Sequence, residues 1–311
     1  MTLETASGVV PSLNASDLIA AAPELDVVAR IEAHTFLCQA SMELRFSDIA
    51  RLASLIRSAV ARGASGVVVT QGTDTIEETA FQLDLLLDVS APVVVTGALR
   101  SPAQVSADGT ANLLHAVRVA AAPAAGGLGV LVVMNEEIHA ARFVRKSHTH
   151  KVGAFASPTV GPLGWIVEDR VRLVLRPVER LPTLEWVAEP PFVPIITIGL
   201  GTDAQLIECV GASEPAGVVI AALGAGHVPS RCLESLTALA ARVPVVLASR
   251  CGAGEGFRHT YGYSGGEMDL LGRGLISSGA LDASKARVLL SLLLGAGADR
   301  ERIERTFDDA G

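Results

Sequence analysis

Residues 70–75 read TQGTDT, which puts Thr70, Gln71, Thr73, Asp74 and Thr75 on one short segment. Hydroxyls, an amide and a carboxylate are more proton-handling groups than a simple connection needs. A threonine hydroxyl is a poor nucleophile until a base takes its proton, and a lysine held near a carboxylate can supply that base. Lys146 is a candidate, on a stretch (Asn135–Lys146) that also carries Glu136, Glu137, Arg142 and Arg145. Together a hydroxyl, a carboxylate and an amine would make an activated oxygen nucleophile. The same residues also suit a polar turn that caps a helix, and composition alone favours that plainer reading.

The elements around these residues decide whether they can meet. Ile49, Leu52, Ala53, Ile56 and Val60 recur at helical spacing behind Ser47, which predicts a helix over 47–62 capped by Ser47. Gly63 and Gly66 end it, and Val67–Thr70 is a short apolar run, the pattern of a strand buried on both faces. Thr75 with Glu78 fits a capping box and starts a second helix. VVVTG after Pro92, the helical SADGTANLLHAVRVAAA and the apolar GVLVVMNEE (Gly129–Glu137) continue the alternation. Strands alternating with helices predict an α/β fold with a mostly parallel sheet flanked by helices. In such sheets ligands sit beyond the carboxyl ends of the strands. Three loops meet that condition: Gln71–Thr75, Gly97–Ser106 with Ala98, Arg100 and Ser106, and Asn135–Lys146.

Residues 175–192 hold four prolines and no clear period, and so read as a linker. The expected division is an N-terminal domain over 1–175, a linker over 176–192 and a smaller C-terminal α/β domain over 193–311. In the latter, VPIITIGLG, GVVIAALGAG and VPVVLASRCGAG are apolar runs closing on glycines, and Ala283–Leu294 is the expected final helix.

Composition excludes several classes. Half of the 311 residues are apolar and only 4% aromatic, so the core is built from Ala, Val and Leu. A net charge of −8 leaves no basic surplus for a nucleic-acid partner. No stretch suits a membrane span, and MTLETASGVVPSL has neither the basic nor the apolar region of a signal peptide, so a cytoplasmic location is expected. Cys38, Cys209, Cys232 and Cys251 are scattered and read as buried free thiols in a reducing compartment. GYSGG (Gly262–Gly266) matches a nucleophile-elbow pattern by letter, but no apolar strand leads into it. KSHTH (Lys146–His150) offers imidazoles at i and i+2, which would face opposite sides of a strand without a further ligand, so no metal is expected. CGAGEG (Cys251–Gly256) is not a dinucleotide fingerprint, and no phosphate loop occurs, so no cofactor is expected.

VVVTQGTDTIEETA, PVVVTGALR, SADGTANL, GVLVVMNEEIHAAR, GPLGWI and ALDASKARVLL, in this order, resemble bacterial-type L-asparaginases. The resemblance runs from about Gly8 to the end. It implies hydrolysis of L-asparagine to L-aspartate and ammonia through a threonine acyl-enzyme, with some action on L-glutamine. It also implies that Thr73 is the second of the family's two threonines, with Asp74 beside it and Lys146 as the family's lysine. Ser41, Gly72, Thr73, Asp74 and Ala98 would hold the substrate. Glu267 would reach the substrate's α-amino group in a neighbouring subunit, which implies a homotetramer.

Two positions depart from the pattern. Met42 follows Ser41 where many members carry Gln, and no segment resembles the family's opening TGGTIA-like loop with its first threonine. Thr2 and Thr5 are not expected to replace it. An asparaginase-like protein that binds an amino acid or only assembles is therefore the alternative expectation. Removing an interior strand would leave unpaired backbone groups at roughly 1–3 kcal/mol each, against a domain stability of about 5–15 kcal/mol. The DNA upstream of Met1 is thus expected to encode, in frame, an apolar strand and a Thr-Gly-rich loop. An in-frame stop codon just before Met1 would contradict this.

Overall fold

In the computed structural model the chain divides into two units, Met1–Thr183 and Leu184–Gly311. Residues 2–5, 8–11, 13–178 and 180–310 are described, the first two stretches by their backbone alone. The hydroxyls of Thr2 and Thr5 lie outside that description.

The first unit begins with an antiparallel pair, β1 (Thr2–Thr5) and β2 (Gly8–Pro11), and the short helices α1 (Ala15–Ala20) and α2 (Leu25–Val28). Helix α3 (Phe46–Ala61) starts before Ser47, which is not its cap. Asp48, in the first turn, instead accepts the Arg45 N–H at 3.0 Å, satisfying a donor that precedes the helix. Then β3 (Val67–Thr70), α4 (Ile76–Leu86), β4 (Val93–Thr96), α5 (Gly109–Ala121) and β5 (Val130–Met134) alternate. Strands β3, β4 and β5 pair in parallel, with Thr70 opposite Thr96. β4 and β5 are buried along their whole length. β3 is only half-buried, contrary to the sequence expectation, because it ends its sheet: among the described residues no strand pairs with its outer side. Ala116, Val119 and Ala120 of α5 pack over Val94, Leu131 and Val133.

The third strand stops at Met134 rather than continuing to Glu137. Asn135 and Glu136 both adopt left-handed backbone (φ 50° and 66°), the twist that two-residue hairpin turns require. The chain doubles back as β6 (Glu137–Ala140), antiparallel to β5. β7 (Arg145–Lys146) and β8 (Phe155–Ala156) form a separate two-residue ladder. β9 (Gly164–Val167) and β10 (Arg170–Leu173) complete the six-stranded order β10-β9-β6-β5-β4-β3.

The second unit is smaller. Its strands β11 (Ile195–Thr197), β12 (Val218–Ala222), β13 (Val245–Ser249) and β14 (Ile276–Ser277) are all parallel, in that order. The helices between and after them are α6 (Ala204–Ala212), α7 (Leu233–Ala240), α8 (Glu267–Gly272), α9 (Ala283–Gly295) and α10 (Arg300–Asp308). Ile196, Ile220, Leu236, Leu247 and Leu270 belong to its core. The sequence reading ended at α9. α10 follows it, capped by Asp299, whose side chain accepts the Arg302 N–H at 2.8 Å. All four cysteines are free, but only Cys232 is buried; Cys38, Cys209 and Cys251 are exposed, so the expectation of four buried thiols fails. No helix among the described residues is long and apolar enough to cross a membrane.

His139 on β6 is fully buried and fixes the β7–β8 ladder to the sheet. Its Nδ1 lies 3.0 Å from Ser157 Oγ, just past β8, and its Nε2 lies 3.3 Å from Glu137 Oε2. Burial lowers its pKa from 6.5 to about 4. Between those values the unfolded chain binds a proton that the folded chain does not. The stability His139 contributes is therefore present above pH 6.5 and lost as pH falls toward 4. The gap corresponds to roughly 3 kcal/mol. Urea unfolding at pH 7 and at pH 4.5 checks this: the parent should lose about 2.5 kcal/mol more than His139→Gln over that interval. Equal losses would contradict it.

Candidate active site

The parallel register of β3 and β4 delivers two loops side by side at the carboxyl end of the sheet. The ladder runs one residue further, since Gln71 N donates to Thr96 O at 3.1 Å. Gly97 permits this closeness: a Cβ there would lie 2.6 Å from the Gln71 carbonyl oxygen. Residues 73–75 then make a single tight turn before α4. The turn is not the capping box expected from Thr75 and Glu78. Thr75 Oγ1 donates instead to the Ser41 carbonyl at 3.0 Å and accepts from Gln71 Nε2 at 3.3 Å. Its hydroxyl is used to attach a distant loop.

Lys146, on β7, comes to this turn from 73 residues away. Its Nζ donates to Thr73 Oγ1 at 2.9 Å and lies 2.7 Å from Asp74 Oδ1. The lysine side chain is 17% exposed and the Asp74 side chain 67%, so the carboxylate is much the more open of the two to water. The hydroxyl, carboxylate and amine picked out from the sequence are thus in direct contact. Glu136 sits in the β5–β6 turn and Glu137 beside His139, away from this contact.

Ser41 is buried, and its Oγ accepts the Asp74 N–H at 3.3 Å. Gly72 lets it approach: a Cβ on Gly72 would lie 2.9 Å from Ser41 Oγ. Met42 beside it is 71% exposed. Ala98 lies on the loop after β4, which is held by two residues that had been given no role. The Asp108 carboxylate accepts the N–H groups of Leu99 and Arg100 at 2.9–3.1 Å. Asn112 donates to Gly97 O at 3.0 Å and accepts the Asn135 N–H at 2.9 Å, tying the ends of β4 and β5 together. The Asp-x-x-x-Asn spacing at the start of α5 was the available signal, since i and i+4 share a helix face.

Glu267 lies in the second unit, as the first residue of α8. It is fully buried, and Oε1 accepts the N–H groups of Thr260 and Tyr261 at 2.8 and 2.6 Å. Oε2 faces His227 Nε2 at 3.4 Å, and neither atom has a hydrogen-bond partner. Burial pushes the Glu267 pKa up. The N–H groups of Tyr261, Thr260 and Glu267 itself, with the His227 charge, outweigh that and hold it below the ordinary carboxylate range. Tyr261, Tyr263 and Phe257 surround the pair with exposed rings, Tyr261 lying 5.0 Å from His227 edge to face.

GYSGG is irregular backbone leading into α8. His148 and His150 share one turn with ring centroids 4.6 Å apart, not opposite faces of a strand. Among the described residues no group of three or more His, Cys, Asp or Glu is placed to hold a metal.

Comparison with known proteins agrees over both units. Residues 1–179 match the family described as Asparaginase, N-terminal, and residues 192–307 match the Glutaminase/Asparaginase C-terminal domain. A probable L-asparaginase of Deinococcus radiodurans is 44% identical over 83% of this chain and 79% of its own length. A probable periplasmic L-asparaginase of Haemophilus influenzae is 36% identical over 96% of this chain and 85% of its own. A glutaminase-asparaginase of Pseudomonas fluorescens is 31% identical over 93% and 80%. With both family matches and these identities over most of its length, the chain belongs to the asparaginase family.

Proposed function

We propose that this protein hydrolyses the side-chain amide of L-asparagine to L-aspartate and ammonia, with L-glutamine as a second substrate. The observation that carries the reading is Lys146 Nζ within hydrogen-bond reach of both Thr73 Oγ1 and Asp74 Oδ1. Lys146 takes the proton of the Thr73 hydroxyl, or of a water held by it, and Asp74 offsets the positive charge that this places on the amine. The freed oxygen attacks the amide carbon, and ammonia leaves with the proton. Where Thr73 itself attacks, water then cleaves the resulting ester. The logic is that of a hydrolase triad, with lysine as base and aspartate as its partner. The names of the relatives support the substrate, and one of them supports glutamine as well. The two amides differ by one methylene, a difference worth about 1–3 kcal/mol in a small pocket.

Ser41, Gly72, Asp74 and Ala98, on loops at the same sheet end, hold the substrate in this reading. Glu267 serves a neighbouring subunit of a homotetramer. The exposed rings of Phe257, Tyr261 and Tyr263 beside it suit a role met at an interface. Four free thiols suit a reducing, cytoplasmic location, although one relative carries the word periplasmic in its name.

A second reading is an amino-acid-binding protein without turnover. It is favoured by the open outer side of β3, where among the described residues no strand, and so no further strand-end loop, flanks Thr73.

Ammonia release from asparagine tests both. The parent should turn over, and Thr73→Val should fall to background while remaining folded. Lys146→Met should lower kcat by about 10²–10⁴ with KM changed only a few-fold. A folded Thr73→Val that keeps its turnover would make Thr73 a turn residue. An unchanged kcat with a raised KM would make Lys146 a binding residue. Calorimetric binding of asparagine without ammonia release by the parent would establish the second reading.

A further inference from the structure

The amine is carried by a very short strand. β7 is two residues long, and its ladder to β8 pairs only Arg145 with Ala156 and Lys146 with Phe155. Past it, Ser147 N donates to Ala154 O at 2.7 Å. Such a short ribbon has little stability of its own. Yet Nζ must stay within about 3 Å of Thr73 Oγ1 for a proton to pass.

Glu77 supplies an anchor. It lies in the first turn of α4, two residues past the turn that carries Thr73 and Asp74. Its Oε2 accepts the backbone N–H of Lys146 at 2.6 Å. A carboxylate is well placed there, since the amino end of a helix favours negative charge. The same rigid turn and helix start therefore grip Lys146 at both ends: the main chain through Glu77, the amine through Thr73 and Asp74. With both ends fixed to one element, the side chain spans a set distance, and drift of β7 is resisted at its root. We infer that Glu77 is a positioning residue for Lys146 that holds the amine in line with the Thr73 hydroxyl through the Lys146 main chain. This rests on the assignment of Lys146 as the base.

A hydrogen-bond acceptor at fixed reach and a general negative charge predict opposite orders of substitution. Glu77→Gln keeps a carbonyl oxygen at the same reach and drops the charge. Glu77→Asp keeps the charge and withdraws the oxygen by about 1.5 Å, one carbon–carbon bond. Steady-state ammonia release by the full chain, with urea unfolding in parallel, should give Glu77→Gln within about threefold of the parent kcat. Glu77→Asp and Glu77→Met should lie roughly 10–100-fold below it, with KM within twofold, as expected when about 1 Å of misplacement affects the transition state alone. In a Lys146→Met background the Glu77 substitutions should cause no further loss of kcat, because nothing is left to position.

Three results would overturn the inference. They are Glu77→Asp outperforming Glu77→Gln, all three variants keeping parental kcat, or the Glu77 effect persisting undiminished in the Lys146→Met background. Full activity of Lys146→Met alone would instead remove the base assignment, so the two failures are separable. If Glu77→Met does not fold, the Gln-to-Asp order decides.

Discussion

A lysine amine that must stay on one turn has to be met there by acceptors, and Lys146 finds two, the Thr73 hydroxyl and the Asp74 carboxylate. Much of the first unit meets that constraint. The turn must leave β3 where β7 can reach it, and the parallel pairing of Thr70 with Thr96 sets that point. Gly97 allows the second loop to lie against Gln71, and Gly72 allows Ser41 to lie against the first. Asp108 and Asn112 then fix the loop after β4 and tie it to the end of β5. The β5–β6 hairpin returns the chain toward β7, and buried His139 holds Ser157 beyond β8.

The division of labour follows from the energetics of each contact. Asp74 is largely exposed, so its attraction for the amine is screened, and it adds little to stability. In the proposed reaction its value is chemical: it stands where charge would develop when the amine accepts a proton. Asp108 is buried and accepts several N–H groups, which is the arrangement that makes a loop rigid. Glu267 in the second unit resembles Asp108 in being buried and bonded to backbone, but it differs in keeping one oxygen unpartnered. The hydrogen bonds from its own turn, with His227 beside it, hold that carboxylate below the ordinary range despite its burial.

The sequence revealed the strands more reliably than the contacts made by polar side chains. Val67–Thr70 and Val93–Thr96 announce themselves as apolar runs, and the α/β alternation follows from them. Ser47 and Thr75 look like caps in the sequence but do not cap their helices, because a hydroxyl before an apolar run is ambiguous. Asp48 took the helix start in one case, and Ser41 took the hydroxyl in the other. The strand expected to reach Glu137 ended at Met134 because Asn135 and Glu136 adopt left-handed backbone, a choice that an apolar pattern does not encode. The half-exposure of β3 was equally invisible, since Val-Val-Val-Thr reads the same at a sheet edge as in its interior. Thr73 and Asp74 stood out locally. Lys146 was singled out by residue type, but its contact spans 73 positions and leaves no periodic trace. Glu77 gave no signal, because a glutamate in a first helical turn is ordinary until its partner is known.

The central claim is that Asp74 and Lys146 act on Thr73 as a unit. A double-mutant cycle on kcat, with Asp74→Asn, Lys146→Met and the pair together, measures this most directly. Coupled groups predict a double variant no more than about threefold slower than the slower single, because the aspartate has no other work once the amine is gone. If the two losses multiplied, each residue would act independently, and the relay described here would be wrong.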